Sequence, residues 1–496
     1  MVHLRPRVVE LTILWALVCV LACPLSSPAA VGREIPPAQR GVVLSLSDIH
    51  FNPFYDAALV GRLNRSEYQR WRAIFSSSGV RGYGSYSADT NYNLMNSALE
   101  YARQVSPRPD FVIISGDFLS HNFQQTYVSL TGNHEPAALE SFIDKTIAFI
   151  TLMIEERFPN TPVYPALGNN DSYCGDYNLA PGGRFLARTA QTWKGLIKER
   201  SNVGSFLKTF PASGSYVVSP PGGKGHRLIV LNTVFLSRDY ANKCGDPKAN
   251  PAQDELSWFG DQLRKASASK ERVWLLAHIP PGVDVFSSIE NNPADPFEAP
   301  LMYYGGTYNQ QYLNLMNQYA STISHTFAGH THMDSFQLVN QAIDKRAASA
   351  VTITPAISPI YGNNPGFKVF TYDRQSSALI DYTTYYLNLG AGARGERWGK
   401  EYAFGATYGQ PSLDPVSLQA VYLLMPIDYH GSLTSYGRFY NVSDTAQPVL
   451  NKTNWSAYWC GIGYLTPGQF TWCQQMLDGG PTAPTPPTRP AAARQP

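Results

Sequence analysis

Seven residues of this chain, Asp48, His50, Asp117, Asn169, His278, His330 and His332, offer the imidazole, carboxylate and amide groups that hold divalent metals. They fall in short clusters: Asp48-Ile49-His50, Gly116-Asp117, Gly168-Asn169-Asn170-Asp171, His278 and Gly329-His330-Thr331-His332. Imidazole and carboxylate together suit Zn²⁺, Mn²⁺ or Fe²⁺. Two such ions about 4 Å apart can bridge a hydroxide that attacks phosphorus while they neutralise the phosphoryl oxygens. Each cluster alone is a chance match in a long protein. The ordered set is more telling, because the chain has 10 histidines and four of them belong to it. The spacing in Asp48-x-His50 and His330-x-His332 lets both side chains of a pair point the same way on an extended loop. The glycines at 116, 168 and 329 permit tight turns and close backbone approach.

Most clusters sit at the end of an apolar run. Val42–Leu46, Phe111–Ile114, Val163–Leu167, Leu228–Leu231, Val273–Ala277 and His325–Ala328 read as buried strands. Helical stretches lie between them at Thr90–Val105, Ala137–Arg157 and Glu255–Ala266; the second carries Phe142, Ile147, Ile150 and Met153 along one face. Strand–helix alternation predicts a layered α/β architecture, in which groups at the carboxyl ends of strands converge on one crevice. After His332, the runs Val351–Ile353, Phe367–Tyr372 and Leu379–Leu387 suit an antiparallel portion. A helical segment rich in Tyr and Trp is expected over 395–478, and the Pro-, Ala- and Thr-rich residues 479–496 read as a disordered tail.

Bulk properties narrow the class. With 496 residues, 44% hydrophobic and 15% charged, the chain can bury a large core and is neither fibrous nor disordered. Tyr dominates the aromatics with 30 copies, read here as half-buried interfacial side chains in preference to a pocket lining. The net charge of +2 comes without a basic run, so no nucleic acid is expected as a stable partner. Arg5 and Arg7, the apolar run Leu11–Cys23 and the small residues up to Ala30 read as an export signal over residues 1–30. That run is too short for a transmembrane helix, and no transmembrane segment is expected elsewhere. A lipoprotein signal ending at Cys23 is the rival reading, which Leu21 fits poorly. The expected location is therefore secreted or periplasmic. Export leaves Cys174, Cys244, Cys460 and Cys473 in an oxidising compartment. Of the three pairings they allow, Cys174–Cys244 and Cys460–Cys473 are expected because each pair lies within one region of the chain. A Cys-based zinc site is the alternative, without a C-x-x-C spacing to support it.

The ordered pattern D-x-H, GD, GN[HN][DE], H, GH-x-H resembles the calcineurin-like metallophosphoesterase superfamily. Gly329-His330-Thr331-His332-Met333-Asp334, followed by Pro365-Gly366-Phe367-Lys368-Val369-Phe370, is similar to the acid sphingomyelinase-like phosphodiesterases. The resemblance covers roughly residues 41–390. It implies a four-layer α/β fold, a β-sandwich of two mixed sheets flanked by helices, and usually a di-zinc centre. By motif, Asp48, His50, Asp117 and His332 would hold one ion and Asp117, Asn169, His278 and His330 the other. His121 matches a family histidine placed near the leaving group; the alternative is an ordinary loop histidine. One departure stands out. The family commonly has a histidine after the ligand asparagine, and this chain has Asn170, whose amide can donate a hydrogen bond but cannot act as a general acid near neutral pH. Asn-Asn-Asp here resembles the endopolyphosphatase branch. Gly132-Asn133-His134-Glu135 also matches the motif but has no strand before it, so Gly168-Asn169 is preferred. Only about ten residues separate the signal from the first strand, so no saposin-like module is expected, and small phosphodiesters, nucleotides or polyphosphate come forward as substrates. The expected activity is phosphodiester or phosphoanhydride hydrolysis. The rivals are a phosphomonoesterase and a catalytically silent binding protein on the same fold.

Overall fold

The computed structural model describes residues 35–223, 225–291, 299–340, 347–392, 395–429, 435–443 and 449–477. The signal read at 1–30 and the tail read at 479–496 lie outside them. The described residues from Arg40 onward carry the elements below.

The described strands are β1 (Arg40–Leu46), β2 (Phe111–Ile114), β3 (Val163–Pro165), β4 (Tyr216–Val218), β5 (His226–Val230), β6 (Arg272–Leu276), β7 (Ile323–Ala328), β8 (Ser335–Asn340), β9 (Ala347–Ile353), β10 (Gly366–Asp373), β11 (Leu379–Leu387) and β12 (Trp398–Ala403). They form two six-stranded sheets, ordered β12-β11-β10-β1-β2-β3 and β4-β5-β6-β7-β9-β8. In the first sheet β1, β2 and β3 are parallel, and β10, β11 and β12 join them antiparallel. In the second, β5, β6, β7 and β9 are parallel, with β4 and β8 antiparallel at the two edges. Both sheets are mixed, as expected.

The parallel strands are rich in apolar residues because they are covered on both faces. Every residue of β2 is buried. The sheets meet through aromatic rings: Trp274 of β6 lies 5.9 Å from Phe111 and 5.1 Å from Tyr372, and Phe327 of β7 lies 5.2 Å from Phe370. Full burial of one such phenylalanine stabilises the fold by about 1.5–3 kcal/mol. The flanking helices begin at recognisable caps. Asn91 accepts a hydrogen bond from Leu94 N (2.9 Å) at the head of helix Tyr92–Val105. Prolines open Pro136–Arg157 and Pro251–Ala268, so these two helices start earlier than their apolar periodicity alone suggests.

The segment expected to be helical from residue 395 opens instead with the edge strand β12. Trp398 of this strand stacks on Tyr101 at 5.7 Å and lies 5.5 Å from Phe367, which pulls the segment onto the sheet. Helices Pro415–Tyr429, Ser435–Tyr440, Trp455–Gly463 and Pro467–Leu477 follow. Disulfides join Cys460 to Cys473 and Cys174 to Cys244, with Cα separations of 5.9 and 5.8 Å, in the expected pairing. The second motif match, at 132–135, is a turn between two helices: Gly132 ends the first in a left-handed conformation (φ 64°), Pro136 starts the next, and His134 is exposed. Among the described residues, no helix is long and apolar enough to cross a membrane.

Candidate metal centre

Asp48 and His50 follow β1, Asp117 follows β2, Asn169 and Asn170 follow β3, His278 follows β6, and His330 and His332 follow β7. The carboxyl ends of strands from both sheets therefore meet here. The loops are held in unusual backbone conformations: φ is 47° at Asp48, 41° at His50, 56° at Asp117, 71° at His330 and 64° at His332. Left-handed backbone suits Asp and His better than branched residues, and still costs about 1–3 kcal/mol per residue. Inter-loop hydrogen bonds hold it in place. Asp48 N donates to Gly116 O (3.1 Å), His50 N to Asp117 O (2.9 Å), Ala356 N to His332 O (3.1 Å) and Ser358 N to Asp48 O (3.1 Å). Close packing explains two of the glycines. A Cβ at Gly168 would collide with the Asp117 carboxylate, and one at Gly329 would stand 2.6 Å from Asp48 Oδ2.

The side chains point inward. His50 Nδ1 lies 2.9 Å from Leu119 O and His278 Nδ1 lies 2.8 Å from Ser115 O, so each ring donates there and turns its Nε2 toward the centre. Both Nε2 atoms lie 3.3 Å from the same oxygen, Asp117 Oδ2. His50 Nε2 is also 3.1 Å from His332 Nε2, and His278 Nε2 is 2.9 Å from Asn169 Oδ1. His332 Nε2 stands 3.5 Å from Asp48 Oδ1, and His330 N donates to Asp48 Oδ1 at 3.2 Å. Two groups, Asp48/His50/Asp117 and His50/His121/His332, each bring their ligand atoms within 4.8 Å of one another.

Burial sets the electrostatics. It pushes Asp48 up to about 6, with Asp117 adding to the rise, and holds His50 down to about 4 and His330 down to about 3. Burial also opposes charge on His278, but Asp117 beside it lifts it to about 9. Among the described residues, every ion pair of Asp48 and Asp117 is with an imidazole; no Lys or Arg reaches them. His332 Nδ1 is buried without a hydrogen-bond partner. Buried carboxylates with no Lys or Arg beside them, imidazoles turned inward and an orphaned imidazole nitrogen fit divalent metal ions.

Residues 41–334 match the family model for calcineurin-like phosphoesterases, and residues 341–478 match that for the acid sphingomyelin phosphodiesterase C-terminal region. The chain belongs to the calcineurin-like phosphoesterase family. It is 28% identical over 408 residues to sphingomyelinase phosphodiesterase C of Dictyostelium discoideum, covering 78% of this chain and 83% of that one. To the cyclic GMP-AMP phosphodiesterase SMPDL3A of Mus musculus it is 27% identical over 474 residues, 92% of this chain and 97% of the relative. Among solved structures it is similar to a dimetal phosphatase from Danio rerio, with a TM-score of 0.39 and 13% identity over 70% of this chain and 95% of that one. This calcineurin-like phosphoesterase is thus an enzyme of phosphoester hydrolysis with acid sphingomyelinase-like relatives, as the motifs implied.

Two residues around the centre of this calcineurin-like phosphoesterase were given no role by sequence reasoning. Asp171 closes the Gly-Asn-Asn-Asp motif and accepts four backbone N–H bonds. Its Oδ2 takes Asp117 N (3.0 Å) and Gly168 N (2.9 Å), and its Oδ1 takes Phe118 N (2.8 Å) and Leu119 N (3.2 Å). One carboxylate thereby ties the loop after β2 to the loop after β3. Asp89 had no motif to mark it. It receives His121 N (2.8 Å), faces His121 Nδ1 (3.0 Å) and takes Ser358 Oγ (3.1 Å). His121 itself stacks on His50 at 4.1 Å, so it belongs to the centre in space. Asn170 is buried with both donors on Asp117: N to Oδ1 (2.8 Å) and Nδ2 to Oδ2 (3.1 Å). Beside His330 opens a cavity of about 260 Å³, lined by Tyr177, Tyr303, Tyr361, Tyr436, Tyr440 and Tyr458. Part of the tyrosine excess therefore lines a pocket, and the C-terminal helices supply half of these rings.

Proposed function

We propose that this protein hydrolyses phosphodiester or phosphoanhydride bonds at a dinuclear centre outside the cytoplasm. Asp48, His50, Asp117 and His332 would hold one ion, and Asp117, Asn169, His278 and His330 the other. The observation that carries this reading is Asp117 Oδ2, placed 3.3 Å from both His50 Nε2 and His278 Nε2, the position of a bridging ligand. Divalent ions bound there would supply Lewis acidity toward phosphoryl oxygens and a nucleophile at neutral pH. The chain's own residues set the rest. Asn170 orients the bridging carboxylate, since both of its donors lie on Asp117. The leaving-group proton falls to His121. Burial opposes its charge most strongly, but the hydrogen bond to Asp89 together with the charges of Asp89, Asp117 and Asp176 raises its pKa, and Tyr361 OH stands 3.5 Å from its Nε2. The tyrosine-lined cavity suits a flat, polar group such as a nucleobase. The two disulfides support an oxidising compartment.

The reading is tested by stripping the protein with chelator, restoring Zn²⁺, Mn²⁺ or Fe²⁺, and assaying bis(p-nitrophenyl) phosphate, p-nitrophenyl phosphate, a cyclic dinucleotide, ATP and polyphosphate. Metal-dependent turnover of diesters or anhydrides above monoesters is expected. Preference for monoesters would favour a phosphomonoesterase, and metal binding without any turnover a binding protein. A second expectation concerns His121→Ala. It should slow substrates with alkyl leaving groups about 10²–10⁴-fold and p-nitrophenyl esters far less. Asp89→Asn should act in the same direction with a smaller effect. Equal losses on both substrate types would remove His121 from the acid role.

A further inference from the structure

A polar row runs through the space between the sheets. Ser45 of β1, Lys368 of β10 and Thr384 of β11 are direct cross-strand neighbours, and none has measurable exposure. Each reaches across to the second sheet. Ser45 Oγ meets Thr354 Oγ1 at 2.7 Å. Lys368 Nζ donates to Ile353 O at 2.9 Å and pairs with Asp334 Oδ1 at 2.7 Å. Thr384 Oγ1 donates to Asp334 Oδ2 at 2.8 Å. Taking two charges out of water costs several kcal/mol per ion, and such a pair often stabilises a fold no better than apolar residues of the same volume. Stability is thus a weak reason for it. Placement is a stronger one. Asp334 lies two residues after His332, and Ile353 opens the loop whose Ala356 N holds His332 O and whose Ser358 N holds Asp48 O.

We propose that the buried pair Lys368–Asp334 positions the Asp48/His50/His332 half of the metal centre by fixing how the second sheet is offset against the first. The proposal rests on the two-ion reading above. Lys368 and Asp334 are positioning residues: Lys368 bonds Asp334 and Ile353 O and lies over the Tyr382 ring, while Asp334, two residues from His332, is also held by Thr384 Oγ1 and by its own N–H on Tyr440 O.

The test is calorimetric titration of chelator-stripped full-length protein with Co²⁺, alongside thermal unfolding of the metal-free form. The variants are Lys368→Met, Lys368→Arg and the double variant Lys368→Met/Asp334→Leu, which removes both charges of the pair. Wild type should bind two ions. The double variant should unfold as a single transition, bind one ion as wild type does, and bind the second about 10–100-fold more weakly. Lys368→Arg should recover part of that loss. Unchanged affinity for both ions would overturn the proposal, as would equal weakening of both. Failure of the double variant to fold even in excess metal would also overturn it, by assigning the pair to folding alone. If wild type itself binds no metal, the dinuclear reading fails, an outcome separate from any of these.

Discussion

Asp117→Asn is expected to abolish hydrolysis of bis(p-nitrophenyl) phosphate, by about 10³-fold or more, while leaving the fold intact. The carboxylate stands between the Nε2 atoms of His50 and His278, and Asn170 directs two donors at its oxygens. An amide of the same shape has one oxygen and one NH₂. Whichever way it turns, it points a donor at Asn170 or loses the acceptor that two ions would share. The missing charge also weakens both ions electrostatically, and losses of this size correspond to about 4 kcal/mol of transition-state stabilisation. Metal content by plasma mass spectrometry should fall together with activity, with the thermal midpoint of the metal-free protein changing little. An active variant with a full complement of metal would sink the bridging assignment.

Asp171→Ala should be the most destabilising single change near the centre. Four backbone N–H groups from two loops lose their acceptor at once. Each unsatisfied buried donor costs about 1–3 kcal/mol, and water entering the vacated space recovers part of this, so a net loss of about 3–5 kcal/mol is expected. One effect opposes it. Burial and the nearby Asp117 push Asp171 up to about 7, so its removal relieves some carboxylate repulsion. The four donors outweigh that relief, because each of them bonds the carboxylate at 2.8–3.2 Å. Asp171→Asn keeps one acceptor oxygen and should lose less. Chemical denaturation and metal titration together check this: a variant with wild-type stability and metal affinity would show that the loops hold their shape without Asp171.

Much of this protein was legible in its sequence because the relevant signals are local. Apolar runs such as Phe111–Ile114 specify buried parallel strands, and an Asp, Asn or His directly after such a run specifies a strand-end loop. The order of those clusters was enough to bring out the family and the two-sheet fold. Other features depend on residues far apart in the chain. Asp89 becomes the partner of His121 only because the loop at Thr90 pairs with Phe51 and so comes to lie beside the loop after β2. Trp398 lies in a segment with weak strand periodicity and joins the sheet because Tyr101 and Phe367 offer it an aromatic surface. The role of Lys368 was equally hidden: a lysine in an apolar strand looks like an exposed edge residue until Asp334, 34 positions earlier in sequence, is found against it. The sequence by itself determined which side chains are available for chemistry and on which strand ends they stand, since side-chain type and hydrophobic period are properties of neighbouring residues. The tertiary structure alone decided which of them share an oxygen, which donors Asn170 uses and which tyrosines line the cavity, because those are distances between strands that only the packing of two sheets can set.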